Sequence, residues 1–151
     1  MIAFKVNVVP KSQPRQRHSG RIGKNKAGKQ IVVVKNYTPK KAPVNAFKDV
    51  LRLFVRNEYK DKPLDVPLSL TLEFVFPRPK NKVWKNKPMP REPKPTKPDF
   101  DNLEKSVCDA LNGILWRDDC LICENKTTKW IANGDESPHV FIMVEPLGSR
   151  Y

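Results

Sequence analysis

The sequence is poor in cysteine and histidine, with three and two respectively in 151 residues. An odd, small cysteine count excludes a disulfide-stapled scaffold and fits a reducing, cytoplasmic compartment. Cys120-Leu121-Ile122-Cys123 has metal-ligand spacing, but only Cys108, His18 and His139 remain to complete a zinc site, so these cysteines read as plain buried residues. No apolar run approaches the roughly 20 residues of a membrane span. No apolar stretch follows a basic start, so no secretory leader is expected. Acid is missing altogether from residues 1–48. These absences set aside membrane spans, secreted disulfide frameworks and zinc modules.

Base is abundant instead. The chain carries 29 Lys and Arg against 16 Asp and Glu, a formal net charge of +13 and a pI near 9.8. The excess lies in two blocks: 12 basic residues in 1–48, and eight with one acid, Glu92, in 77–98. Residues 99–151 reverse the sign, with ten acids and five bases. Such a balance is the footprint of a polyanion partner, first of all nucleic acid. Charge alone does not separate a non-catalytic DNA- or RNA-binding protein from an enzyme acting on nucleic acid. Arg15, Arg17, Arg21, Lys24, Lys26 and Lys29 of the first block, and Lys80, Lys82, Lys85 and Lys97 of the second, are the candidate phosphate contacts.

The patterning predicts a single α+β domain over residues 1–151, a mixed sheet with two main helices. Ile2–Val9 is β-branched and reads as a strand. Residues 11–29 read as an exposed basic loop, or as part of a long hairpin with a basic tip, since Gln30–Val34 is β-branched again. Tyr37-Thr38-Pro39 punctuates the chain. Val44, Phe47, Val50, Leu51, Phe54 and Val55 recur at helical spacing within 42–60. Lys48, Arg52 and Arg56 then form a solvated outer face. Leu68–Phe76 alternates as a strand. Seven prolines in 77–98 forbid helix and central strand, so this segment is a Pro/Lys-rich loop. Its Trp84 either packs beneath the loop or stacks on an unpaired base. A helix over 101–112 stops at Gly113, and strands follow at 114–116, 120–130 and 140–145. Phe100 and Trp116 read as core.

The chemistry lies in Lys97-Pro98-Asp99-Phe100-Asp101-Asn102-Leu103-Glu104-Lys105 and in Trp116-Arg117-Asp118-Asp119. If Asp99-Phe100-Asp101 is extended, both carboxylates project to one side. A helix starting at Asp101 then favours their ionised forms, and Lys105 sits one turn along the same face. Two fixed carboxylates in a phosphate-attracting protein call for a divalent cation, and hard oxygen donors suit Mg²⁺. One member of Asp118-Asp119 would add a third acid. Helix caps and a turn are the plainer reading of the same residues.

Lys97 to Ile122 resembles the RusA family of Holliday-junction resolvases. The family's pattern, approximately PD-x-DN-x-x-K-x-x-x-DAL-N-x-x-x-W-x-DD-x-x-I, is matched at Pro98, Asp99, Asp101, Asn102, Lys105, Asp109–Asn112, Trp116, Asp118, Asp119 and Ile122. The resemblance implies a small homodimeric Mg²⁺-dependent endonuclease (Mn²⁺ a possible substitute), with no small-molecule cofactor and of bacterial or phage or prophage origin. It would resolve four-way DNA junctions by paired symmetric nicks in recombination and repair. It implies Asp99, Asp101 and Asp119 as metal-binding acids and Lys105 as the essential lysine. Asp109 would be structural or, at most, support the site indirectly. A nuclease preferring other branched DNA is a variant of this reading.

Overall fold

The computed structural model describes residues 1–14, 17–37 and 42–148, without the side chains of 17–19 and 35–37. Among the described residues, seven strands and two α-helices follow in the order β1 (Ile2–Val6), β2 (Arg17–Lys24), β3 (Gln30–Tyr37), α1 (Pro43–Glu58), β4 (Leu68–Phe76), β5 (Glu92–Pro93), α2 (Phe100–Leu111), β6 (Ile122–Ile131) and β7 (His139–Pro146). Five strands form a mixed sheet ordered β1-β7-β4-β6-β5. Only β4 and β6 run parallel; the other pairings are antiparallel. The connection between β4 and β6 is therefore a crossover, and it carries the Pro/Lys-rich segment and α2.

Alternation along β4 builds the core. Leu68, Leu70, Leu72 and Phe74 are fully buried beside Val140, Ile142 and Val144 of β7 and Val6 of β1. Val44, Phe47, Leu51 and Val55 of α1 and Leu103, Val107 and Leu111 of α2 close the same core. The two helices cover this one face of the sheet.

The helix faces are not partitioned as expected. Lys48 is only 9% exposed and pairs with Asp109 at 3.6 Å. Arg52 Nε donates to the Ala110 carbonyl at 3.2 Å. Thus Lys48 and Arg52 are helix–helix staples, and of the expected solvated stripe Arg56 alone is fully exposed. Phe100, expected in the core, is 58% exposed: the helix begins at Phe100, and its first position faces outward. Cys120 and Cys123 are exposed rather than buried, whereas Cys108 is buried. Residues 114–116 form no strand. They make a tight turn in which Trp116, fully buried, bridges to Leu64.

The basic segment 11–29 is a loop only in part. Its second half is β2, which pairs with β3 from Arg17↔Tyr37 to Lys24↔Gln30, so the hairpin alternative is the one that forms. The tip is an Asn25–Lys29 turn: Asn25 Oδ1 accepts from the Ala27 and Lys29 N–H groups, and Gly28 takes φ +79°. Among the described residues the hairpin joins no other strand. Thr38 and Pro39 lie outside the described residues.

The Pro/Lys-rich segment is anchored along its length. Arg78 donates to the carbonyls of Lys82, Pro90 and Ala132. Pro93 sits in β5, a two-residue edge strand, where a missing N–H is tolerated. Trp84 is 38% exposed, with the Arg78 guanidinium 5.4 Å from its ring centre. Arg91 pairs with Glu73 and Glu136 and lies over the Trp130 ring.

That last cluster makes stability depend on pH. The hydrogen bond from Arg91 holds the Glu136 carboxyl below its ordinary value. A depressed carboxylate stabilises the fold above its unfolded value of about 4.3, and loses that contribution as pH falls through the folded value. Glu136→Gln keeps an acceptor for the Asn133 N–H but loses the charge. It should cost about 1–2 kcal/mol at pH 7. The gap in melting temperature from wild type should close in scans below about pH 4. A gap that persists there would show that charge is not its source.

Candidate active site

Helix α2 begins where the Pro/Lys-rich segment ends, and β6 holds the junction. Lys129 Nζ donates to the carbonyls of Thr96 and Pro98, each at 2.8 Å. The helix start is pinned from its other side by the chain after β1. Gln13 N–H donates to the Asn102 carbonyl at 3.0 Å, and the buried Ser106 hydroxyl lies 2.9 Å from the Lys11 carbonyl. Residues Lys11 and Gln13 are therefore held against the first turns of α2.

Asp99 is the N-cap residue, extended and exposed, and its side chain makes no cap hydrogen bond. Asp101 is in the first turn, where the helix N-terminus favours negative charge, and its Oδ1 accepts from the Asn102 N–H at 2.9 Å. Because Phe100 is already helical, Asp99 and Asp101 do not alternate along an extended segment as the sequence suggested. Asp101, Glu104, Lys105, Cys108, Asp109 and Asp119 line one cavity of about 300 Å³; Asp99 is not among its lining.

Trp116 positions the opposite wall. Its Nε1 donates to Asn112 Oδ1 at 2.7 Å, and the Gly113 N–H donates to the Trp116 carbonyl at 2.7 Å. Gly113 has φ +76°, a conformation side chains resist, and so turns the chain directly after α2. Asp118 then caps a 3₁₀ turn (Asp119–Leu121), its Oδ1 accepting from the Cys120 N–H at 3.1 Å. That hydrogen bond holds the Asp118 carboxyl below its ordinary value. Desolvation, then Asp118 and Asp109, push Asp119 above its own. Asp119 lines the cavity and Asp118 does not.

Of the expected site residues, Asp101, Lys105 and Asp119 line one cavity, and Asp99 caps the helix that carries the first two. Among the described residues, no three His, Cys, Asp or Glu side chains stand close enough to hold a metal jointly. The donors nevertheless fit a hard cation. Burial first, then Glu104, Asp119 and Asp109, push the Cys108 thiol up to about 12, so it is a neutral thiol at pH 7 and the anionic donors are all carboxylate oxygens. Mg²⁺ needs only one or two carboxylates, since it keeps several waters.

Sequence reasoning missed Glu104, Cys108 and the Lys48–Asp109 pair. Glu104 and Cys108 were visible in principle, at i+3 and i+7 from Asp101 on one helix face. Of the candidate phosphate contacts, Arg21, Lys24, Lys26 and Lys29 are exposed on the hairpin, and Lys80, Lys85 and Lys97 on the Pro/Lys-rich segment. Lys82 is half-buried and pairs with Glu92 at 3.0 Å. Arg15 and the side chain of Arg17 lie outside the described residues.

No described helix is long and apolar enough to cross a membrane. An uncharacterized protein of Bacillus subtilis (strain 168), YqaN, is 29% identical over 153 residues, covering 98% of both chains. The sequence model described as Endodeoxyribonuclease RusA matches residues 5–145. With that span of the chain matched, and with the acids and lysine of the motif gathered on α2 and the turn behind it, this protein belongs to the RusA family of endodeoxyribonucleases.

Proposed function

We propose that this protein is a Mg²⁺-dependent endonuclease that resolves four-way DNA junctions by paired symmetric nicks as a homodimer. The carrying observation is the cavity where Asp101 and Asp119 meet Lys105 inside a molecule otherwise built to attract phosphate. Mn²⁺ offers the same hard-oxygen chemistry.

The expected cation ligands are Asp99, Asp101 and Asp119; Asp101 and Asp119 line the cavity, and Asp99 caps the helix that carries Asp101. When bound, a divalent cation supplies Lewis acidity for the phosphodiester and lowers the pKa of a water. The chain's own residues supply position and field. Lys105 is one turn from Asp101, and its ammonium suits the non-bridging oxygens of the scissile phosphate. The exposed bases of the hairpin and of the Pro/Lys-rich segment hold the arms by phosphate contacts that do not read sequence. A junction presents two equivalent strands, and a two-fold dimer presents two such cavities.

The test is a synthetic four-way junction incubated with and without Mg²⁺ or Mn²⁺, beside linear duplex, flap and fork DNA in competition. Symmetric nicks that require the cation and favour the junction are expected. Tight binding with no cleavage in either metal would mean a non-catalytic nucleic-acid-binding protein. Preferred cutting of flaps or forks would move the substrate to other branched DNA.

The electrostatic part has its own readout. Replacing Lys24, Lys26 and Lys29 together by Ala should weaken binding of all DNA forms alike and lower the log–log salt slope by about 2–3. An unchanged slope would remove the hairpin tip from the DNA interface.

A further inference from the structure

We infer that Trp84, in the Pro/Lys-rich segment and outside the cavity of α2, is a stacking platform for an unpaired DNA base. The inference rests on the endonuclease reading above and deepens it, since it names a contact that tells an opened branch point from plain duplex.

The indole is braced but not covered. Trp84 is 38% exposed, whereas Trp116, which serves the core, is fully buried. The Arg78 guanidinium lies 5.4 Å from the Trp84 ring centre, and the Arg78 side chain is only 5% exposed. The carbonyls of Lys82, Pro90 and Ala132 fix Arg78 in turn. The Trp84 N–H donates to Met89 Sδ at 3.3 Å, which ties the backbone beneath the ring to the returning chain. A ring held this way loses little freedom when a base settles on it.

The surroundings select the ligand. Residues 77–91 contain no acid, and Glu92, which follows them, is taken by Arg78 and Lys82. Lys80, Lys85 and Lys87 flank Trp84 in the chain and are exposed. Lys87 Nζ lies 6.0 Å from the ring centre. Its flexible stem lets the ammonium trade the ring for a phosphate when a base arrives. An aromatic face within a wholly basic, exposed segment is the combination that binds single strands: bases stack and phosphates meet ammonium groups. An acidic peptide would use the lysines and leave the ring idle.

The platform is tied to the start of α2. Lys94 N–H donates to the Lys129 carbonyl at 3.1 Å, and Lys129 Nζ holds the carbonyls of Thr96 and Pro98, the residue before Asp99. One anchored segment therefore carries both the indole and the entry to the helix. Phosphate contacts alone do not distinguish branch from duplex. A stacked base does, because only an unpaired base offers its face.

The test is titration of the whole protein, without divalent metal, with oligothymidine and with a linear duplex, followed by Trp fluorescence and gel shift. Oligothymidine should quench the fluorescence. Trp84→Ala should weaken its binding about 5–100-fold while leaving the duplex affinity and the salt slope as in wild type. Trp84→Phe keeps an aromatic face, so it should lose most of the quenching and keep most of the affinity. Lys85→Ala combined with Lys87→Ala should weaken both DNAs. Wild-type oligothymidine affinity in Trp84→Ala overturns the inference. So does an equal loss on duplex, which would make the effect structural, and so does a Trp84→Phe variant as weak as Trp84→Ala. Trp84-dependent oligothymidine binding in a protein that cuts no branched DNA would uphold the platform and sink the endonuclease reading alone. A protein that nicks junctions but binds oligothymidine equally well without Trp84 would do the reverse.

Discussion

Asp101→Asn should slow nicking of a synthetic four-way junction by on the order of 10²–10³-fold while junction binding survives. The substitution is nearly isosteric. Asn keeps an acceptor for the Asn102 N–H, so the first turn of α2 loses none of its local hydrogen bonding. What disappears is one negative charge in a cavity where carboxylates outnumber ammonium groups. Binding relies on the exposed lysines and arginines of the two basic blocks, which lie on other elements, so removing an acid should leave it intact or tighten it. The measurement is single-turnover cleavage of a labelled junction in Mg²⁺, paired with a gel shift in the absence of divalent cation. A variant that cuts at the wild-type rate would take Asp101 out of the chemistry. A variant that neither binds nor cuts would point to a misfolded helix start, which its circular dichroism would reveal.

The strands and helices were legible wherever one face is buried and the other wet. Along Leu68–Phe74 the period of two holds, Val75 is buried on the other face as well, and β4 spans Leu68–Phe76. The positions of α2 were equally readable, because Leu103, Val107 and Leu111 repeat at helical spacing and Gly113 ends the run. The failures have a common physical source: sequence spacing names a face but not its neighbour. Lys48 and Arg52 lie on the polar side of α1, and only the packing of α2 against that side turns them into partners for Asp109 and the Ala110 carbonyl. One residue of helix boundary changed how the two carboxylates are presented. Had the helix begun at Asp101, Asp99 would have shared its side; beginning at Phe100, it rotates Phe100 to solvent and leaves Asp99 at the cap. Glu104 was hidden by the motif itself, which draws attention to its fixed letters and away from the i+3 position between them. In the basic segment, the β-branched run of β3 was visible, but β2 (RHSGRIGK) has little apolar content and is a strand chiefly because β3 pairs with it.

Trp116 carries the largest expected effect on stability. Its side chain is fully buried, packed in the core with Leu111 and Leu115, and it has a polar edge satisfied by Asn112. Trp116→Ala should cost about 3–5 kcal/mol, since truncation of a buried Trp loses both transfer energy and the contacts that line the cavity left behind. For a domain of this size each kcal/mol moves the melting temperature by roughly 2–4 °C, so a fall on the order of 10 °C is expected by calorimetry. Trp116→Phe keeps most of the apolar surface and should cost clearly less. It strands no buried acceptor, because Asn112 is exposed. The consequence reaches the site through the chain. Trp116 anchors the turn that begins at Gly113, and Asp118 and Asp119 follow it directly. Well below its melting point, Trp116→Ala should therefore nick more slowly than its folded fraction accounts for, whereas a comparably destabilising change at Ile142, on β7, should not. Equal nicking per folded molecule in the two variants would show that Asp119 is positioned without Trp116.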